Sequence, residues 1–288
     1  MSLSRTLLLS FIAGATILLG LPLGRLRRPV PGLRIVLNAT AVGVLLFLVW
    51  DVLSASWEPI DAALVAVHDH TGGLAPVFGY GALFVVGLAV GLLGLVAYEE
   101  WMRRRAAAVT RAFGPGAMTA GEVAVLRRGG VAAWDPARRL SLLIAVGIGL
   151  HNFAEGLAIG QSAATGKIAL ATLLVIGFGL HNATEGFGIV APLAADPDRP
   201  RPSWGFLALM GLIGGGPTFL GGALGHGFTS EPLSVAFLTL AAGSILYVVV
   251  QLITVAAKAK RPQLLAAGLL LGLIAGFATD AVVTAAGV

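Results

Sequence analysis

Apolar residues gather along this chain into eight long segments, roughly 5–24, 34–54, 74–98, 140–161, 168–193, 204–225, 232–256 and 263–286, separated by short polar stretches. A helix needs about 20 mostly apolar residues to cross a bilayer, and each segment meets that length. In lipid a spanning segment must satisfy its own backbone polar groups, which a helix does internally. The pattern therefore predicts an all-α integral membrane protein, a single transmembrane domain over 1–288 with eight spans. The only sizeable stretch outside the apolar segments is 99–139, an Arg- and Ala-rich connection holding Gly114-Pro115-Gly116, predicted partly helical or mobile. The first segment has only Arg5 ahead of it and no small-residue cleavage pattern before Arg25, so it reads as a span and not as a signal peptide.

The charges between the segments set an orientation. Arg25, Arg27, Arg28 and Arg34 follow span one. Arg103, Arg104, Arg105, Arg111, Arg127, Arg128, Arg138 and Arg139 lie between spans three and four, Arg199 and Arg201 between five and six, and Lys258, Lys260 and Arg261 between seven and eight. Seventeen basic residues thus fall on one side, against Arg5 and Lys167 on the other. The positive-inside rule makes the Arg-rich side cytoplasmic and puts both termini outside. A single missed span would scramble this alternation.

Composition narrows the class further. Of the residues 57% are hydrophobic and only 11% charged, with mean hydropathy +0.91. A soluble domain carries about 25% charged residues, so a soluble enzyme is a poor fit. The formal charge of +5 is spread over short loops, which argues against nucleic acid as a partner. No phosphate-cradling Gly-Lys-Ser/Thr pattern points to a nucleotide. With no cysteine there is no disulfide, iron–sulfur or thiolate metal site. Glycine is abundant, 40 residues, often at small-xxx-small spacing: Gly87/Gly91, Gly156/Gly160 and Gly268/Gly272/Gly276. Such spacing lets helices approach closely in lipid, and packing is the expected role of most of these glycines.

One pattern occurs twice. Residues 147–159 read GIGLHNFAEGLAI and residues 177–189 read GFGLHNATEGFGI, with eight of thirteen positions identical. His151, Asn152 and Glu155 share a helix face, as do His181, Asn182 and Glu185, because residues three and four apart are neighbours on a helix. Both sets fall near the middle of consecutive, antiparallel spans, which suggests a central inverted pair. Ionised groups are expensive at that depth, about 2.5–3.5 kcal/mol for a central Asp on insertion scales. Neither segment, 140–161 or 168–193, contains a Lys or Arg to neutralise the two glutamates. A divalent cation would do so. Nitrogen and oxygen donors together suit Zn²⁺, Fe²⁺, Mn²⁺, Co²⁺ or Ni²⁺ better than Mg²⁺ or Ca²⁺. Three rival readings use the same residues. In the first, each His and Glu only hydrogen-bonds between helices, which is less expected of a His-Asn-x-x-Glu set repeated on two adjacent helices than of a lone His. Bis-histidine haem ligation explains the imidazoles but leaves both glutamates without a role. A membrane zinc hydrolase would keep one coordination position open for water, although His-Glu-x-x-His is absent.

HNFAEG and HNATEG resemble the signature of the ZIP (Zrt/Irt-like) divalent-metal transporters. The resemblance implies eight spans, outside termini, a long cytoplasmic connection between spans three and four, and a metal centre built mainly from spans four and five. It implies that His151, Asn152, Glu155, His181, Asn182 and Glu185 are metal ligands. It also implies inward transport of a divalent transition metal, zinc first and Fe²⁺, Mn²⁺ or Cd²⁺ next, by alternating access. The metal would then be substrate, with no prosthetic group and no catalysis, and the setting would be the cell membrane, with room for a homodimer. The chain departs from the family where Ala154 and Thr184 replace the usual Pro before each Glu, so straighter helices are expected. In span six Gly216-Pro217 stands where a Glu-Pro is usual, so one well-formed metal site is expected. The 99–139 connection lacks the usual histidines.

Other polar residues invite lesser roles. Asp51, His226 and Asp280 fall near the outer ends of spans two, six and eight and could line an entry path. His68-Asp69-His70 could hold metal loosely in the outer two–three connection. Gln251 is expected to hydrogen-bond between helices, and Trp50 and Trp204 to sit at membrane interfaces.

Overall fold

A computed structural model describes residues 1–25, 31–112, 130–166, 168–194, 200–227 and 230–285. Arg27, Arg28, Gly114, Pro115, Gly116, Arg127, Arg128, Lys167 and Arg199 lie outside these residues, as does the side chain of Arg111. Among the described residues eight helices are long and apolar enough to cross a membrane. They are α1 (Leu3–Arg25), α2 (Pro31–His68), α3 (Leu74–Ala112), α4 (Pro136–Ala164), α5 (Ile168–Ala194), α6 (Trp204–Gly227), α7 (Glu231–Ala257) and α8 (Pro262–Ala285). The fold is an all-α membrane protein, as the apolar segments predict.

The helix limits differ from the apolar segments where polar residues prolong a helix past its apolar part. α2 runs on from residue 54 to His68, and α3 carries its helix through the Arg-rich residues 99–112. Apolarity marks what lipid tolerates, whereas the backbone ladder continues through any good helix former. The start of α4 is capped by Asp135, whose carboxylate accepts from the backbone N–H of Ala137 and Arg138, both at 3.1 Å, ahead of Pro136. α1 is not continuous. Its α-helical turns break at Thr16, resume over Ile17–Gly20 and tighten into a 3-10 segment, Leu21–Arg25, that contains Pro22.

Four pairs of helices pack in parallel through glycine seams. In α4 and α6 a methyl group added at Gly156 would fall 2.1 Å from the Thr218 carbonyl oxygen, and one at Gly221 2.1 Å from that of Phe153. α1 meets α5 where Gly20 lies on Ala183 and Gly186 on Ile17; α3 meets α7 where Gly91 lies on Leu240. α2 meets α8 with Ala39, Gly43 and Phe47 against Gly268, Gly272 and Gly276. The expected packing role of these glycines is what the structure shows. The pairs assemble into two bundles, α1/α4/α5/α6 and α2/α3/α7/α8, which touch chiefly where α4 meets α7 and α2 meets α5. A shared core of Leu45, Ile144, Ile148, Ile245, Val248 and Leu252 closes that border.

Candidate metal centre

The repeated motif lies on α4 and α5, and both helices run without interruption through it. Residues 165–167 join the two helices. The imidazoles of His151 and His181 approach with ring centroids 6.1 Å apart. Their Nε2 atoms converge on one oxygen: Glu155 Oε1 lies 2.9 Å from His151 and 2.5 Å from His181. The first contact is close but lacks the alignment of a hydrogen bond, so both ring nitrogens of His151 are without a hydrogen-bond partner. Glu185 Oε1 stands 3.9 Å from His151 Nε2. Three ligand-type atoms, from His151, Glu155 and His181, fall within 4.8 Å of one another, the one such group among the described residues.

Burial is nearly complete. His151, Asn152, Glu155, Asn182 and Glu185 are all at most 3% exposed. His181 is the exception, its side chain 11% exposed. Each Asn points its amide nitrogen outward from the pair, to bond a neighbouring helix. Asn152 Nδ2 donates to the Gly214 carbonyl of α6 at 2.9 Å, and Asn182 Nδ2 to the Ala13 carbonyl of α1 at 3.0 Å. The Oδ1 atoms of both asparagines, Oε2 of Glu155 and both carboxylate oxygens of Glu185 are then buried without a donor. Buried acceptors are nearly always satisfied in native proteins, and an unsatisfied one costs about 1–3 kcal/mol. The orphan carboxylate oxygens of Glu155 and Glu185 beside two imidazoles are a ligand set suited to a cation, and to a transition metal before Mg²⁺ or Ca²⁺. It does not suit haem, because both Nε2 atoms address a carboxylate edge and not the two faces of a ring.

A cavity of about 310 Å³ reaches His181 from the α2/α8 side, lined among others by Asp51, Thr184, Thr279 and Asp280. The two aspartates meet there for a geometric reason. The α2/α8 seam advances four residues on both helices at each step, and after Phe47 and Gly276 the next step is Asp51 and Asp280. Asp51 is not at a helix end, since α2 continues 17 residues further to His68. His226 is elsewhere: its Nδ1 lies 3.1 Å from Thr6 Oγ1 and ties α6 to α1, apart from the residues lining the cavity. His68 closes α2, with Asp69 and His70 just beyond it and His70 at φ 57°. Trp204 begins α6 with the Arg25 guanidinium 4.6 Å above its ring, an interface arrangement. Trp50, half exposed, packs with Phe47 and Phe277 on the α2/α8 seam.

Gln251 makes the expected bond between helices, donating from Nε2 to Glu99 Oε2 at 2.9 Å. Its partners were not legible in the sequence. Tyr247 also donates to that oxygen, at 2.8 Å, and Glu99 comes from α3, which no spacing rule relates to α7.

Compared with protein families, the chain matches the one described as ZIP Zinc transporter over residues 129–284, more than half of its length and including both copies of the motif. A comparison with curated proteins finds no match.

Proposed function

The chain belongs to the ZIP zinc transporter family, and from that premise we propose that it carries a divalent transition metal, zinc first, inward across the cell membrane. Members of the family are divalent-metal transporters, so the protein is read as a carrier and not as a hydrolase. The observation that carries the proposal is the convergence of two imidazole nitrogens on Glu155 Oε1 within a buried set of orphan oxygens. His151 and His181 would supply selectivity for transition metals, Glu155 and Glu185 the balancing charge, and the Oδ1 atoms of Asn152 and Asn182 further oxygens. Two carboxylates and one M²⁺ sum to zero, which removes the cost of charge in the hydrocarbon interior. The ligands must be deprotonated to bind, so metal uptake and proton release are linked at this site.

Asp51 and Asp280 line a cavity that reaches His181, and they supply an attractive potential on the approach. The ligand residues all lie on the α1/α4/α5/α6 bundle, whereas this approach borders the other one. Movement of one bundle against the other is then the means by which the site changes the side it faces, without ATP.

Zinc uptake into vesicles reconstituted with the purified chain tests the proposal. His151→Ala and Glu185→Ala should each reduce uptake at least about tenfold. Variants that insert normally and transport at the unaltered rate would overturn it.

A further inference from the structure

A second cavity, of about 250 Å³, opens where the cytoplasmic ends of α3, α4 and α7 come together. Glu99 and Arg103 line it from α3, Arg139 from α4, and Gln251 and Lys258 from α7 and its C-cap. It lies at the far end of α8 from Asp280, since Pro262 follows Lys258 closely and Asp280 is 18 residues further on.

Its chemistry is that of an anion site. The single lining carboxylate, Glu99, already accepts from Tyr247 and Gln251. Arg103 pairs with Glu100. The Arg139 side chain makes one long bond, from Nη1 to the Met102 carbonyl at 3.4 Å, and the Lys258 side chain makes none among the described residues. Neither Arg139 nor Lys258 forms an ion pair among the described residues. Two uncommitted cations repel a metal ion in transit and attract an anion.

Depth selects which anion. One turn of α3 carries both cavity residues, Glu99 and Arg103, and an exposed aromatic pair. Tyr98 and Trp101 stack at 5.5 Å, with the Arg105 guanidinium 4.2 Å over the Trp101 ring. Exposed Trp and Tyr with adjacent Arg mark the level of lipid headgroups. Basic pockets between transmembrane helices on the cytoplasmic side take anionic headgroups.

We propose that the cavity between α3, α4 and α7 binds the phosphate of an anionic phospholipid from the cytoplasmic leaflet, with Arg139 and Lys258 as its ligands. This rests on the orientation read from the loop charges. Arg139 lies on one bundle and Lys258 on the other, so the bound headgroup bridges the border across which the bundles move. The lipid is then a regulator of transport as well as a solvent for the protein.

The test is retention of phosphatidylglycerol by the purified full chain, read by native mass spectrometry after reconstitution in mixed phosphatidylglycerol–phosphatidylcholine vesicles. The unaltered chain should keep phosphatidylglycerol in preference to phosphatidylcholine. Arg139→Gln/Lys258→Gln should weaken retention about thirtyfold, from the loss of two near-surface charges. Arg25→Gln/Arg201→Gln, an equal loss of charge at the α1 and α6 ends of the same side, should leave it within about threefold. Lys258→Gln alone, at an exposed helix cap, should still cost about fivefold and serves if the double variant does not fold. Equal retention by the cavity variant, or equal loss in the control, overturns the proposal. So does protection of the site by inorganic phosphate with no preference for phosphatidylglycerol, which would make the ligand a free anion. Lipid retention is read without metal or sidedness, so its failure is separate from any failure of zinc uptake.

Discussion

Glu155 is the hinge of the proposed metal centre at the scale of single residues, since both imidazoles address its Oε1, while Glu185 stands 3.9 Å from one of them. The two carboxylates should therefore differ in what their loss does. Glu155→Gln keeps the shape and removes a charge that both histidines face. Zinc affinity should fall more than about a hundredfold, beyond the roughly 10- to 100-fold range of groups that only orient ligands, and Glu185→Gln should fall within that range. Calorimetric titration with zinc decides it; equal losses would show that the two acids hold metal equivalently. The motif alone could not have ranked them, because each Glu occupies the same place in its copy. The difference arises where α5 meets α4 and turns His181 toward Glu155. Likewise the sequence placed both asparagines on the ligand face, but their amide bonds to Gly214 and Ala13 depend on which helix lies behind each.

Glycine seams organise the molecule at the scale of helices. Their spacing was legible, and the structure supplies the partners. On the α2/α8 seam a methyl group at Gly272 would fall 2.1 Å from the Thr40 carbonyl oxygen and 2.7 Å from the Gly43 Cα. Neither backbone can yield without separating the helices. Gly272→Ala should cost about 1–3 kcal/mol, the usual range for overpacking. Gly94, on the lipid-facing side of α3, has nothing within 4 Å of such a methyl. Gly94→Ala should leave stability unchanged or slightly raise it, since Ala is the better helix former. Thermal unfolding of the two variants in detergent checks the contrast. A seam disturbance should also reach the entry cavity, because the same four-residue step that sets Gly272 on Thr40 brings Asp51 to Asp280. No pattern within α2 or α8 separately reveals that meeting.

Sidedness is the property of the whole molecule on which inward transport depends. Seventeen basic residues fall in the connections on one side of the spans and two on the other, from which the Arg-rich ends are expected to be cytoplasmic. The chain has no cysteine, so single cysteines report without background. Thr71→Cys, in the exposed turn after α2, should react with a membrane-impermeant maleimide on intact cells. Lys260→Cys, between α7 and α8, should react only after the membrane is opened. The reverse pattern would invert the molecule and the proposed direction of transport with it. At this scale the two-bundle arrangement sets the site on one body and its aspartate-lined approach at the border with the other, a division that loop charges cannot foretell.

What the chain determined by itself was everything governed by local rules. Eight spans follow from apolar length, an expected orientation from loop charge, and a candidate metal-binding chemistry from an acid–imidazole repeat at helical spacing in a medium that does not tolerate bare charge. Only the tertiary structure decided what depends on contacts between distant segments. It joined His181 to Glu155, set Asp51 beside Asp280 on a shared cavity, sent His226 to Thr6 instead, and gave Gln251 its partner Glu99. The physical reason is that a helix's own period says which residues share a face, whereas the packing of eight helices chooses what each face meets.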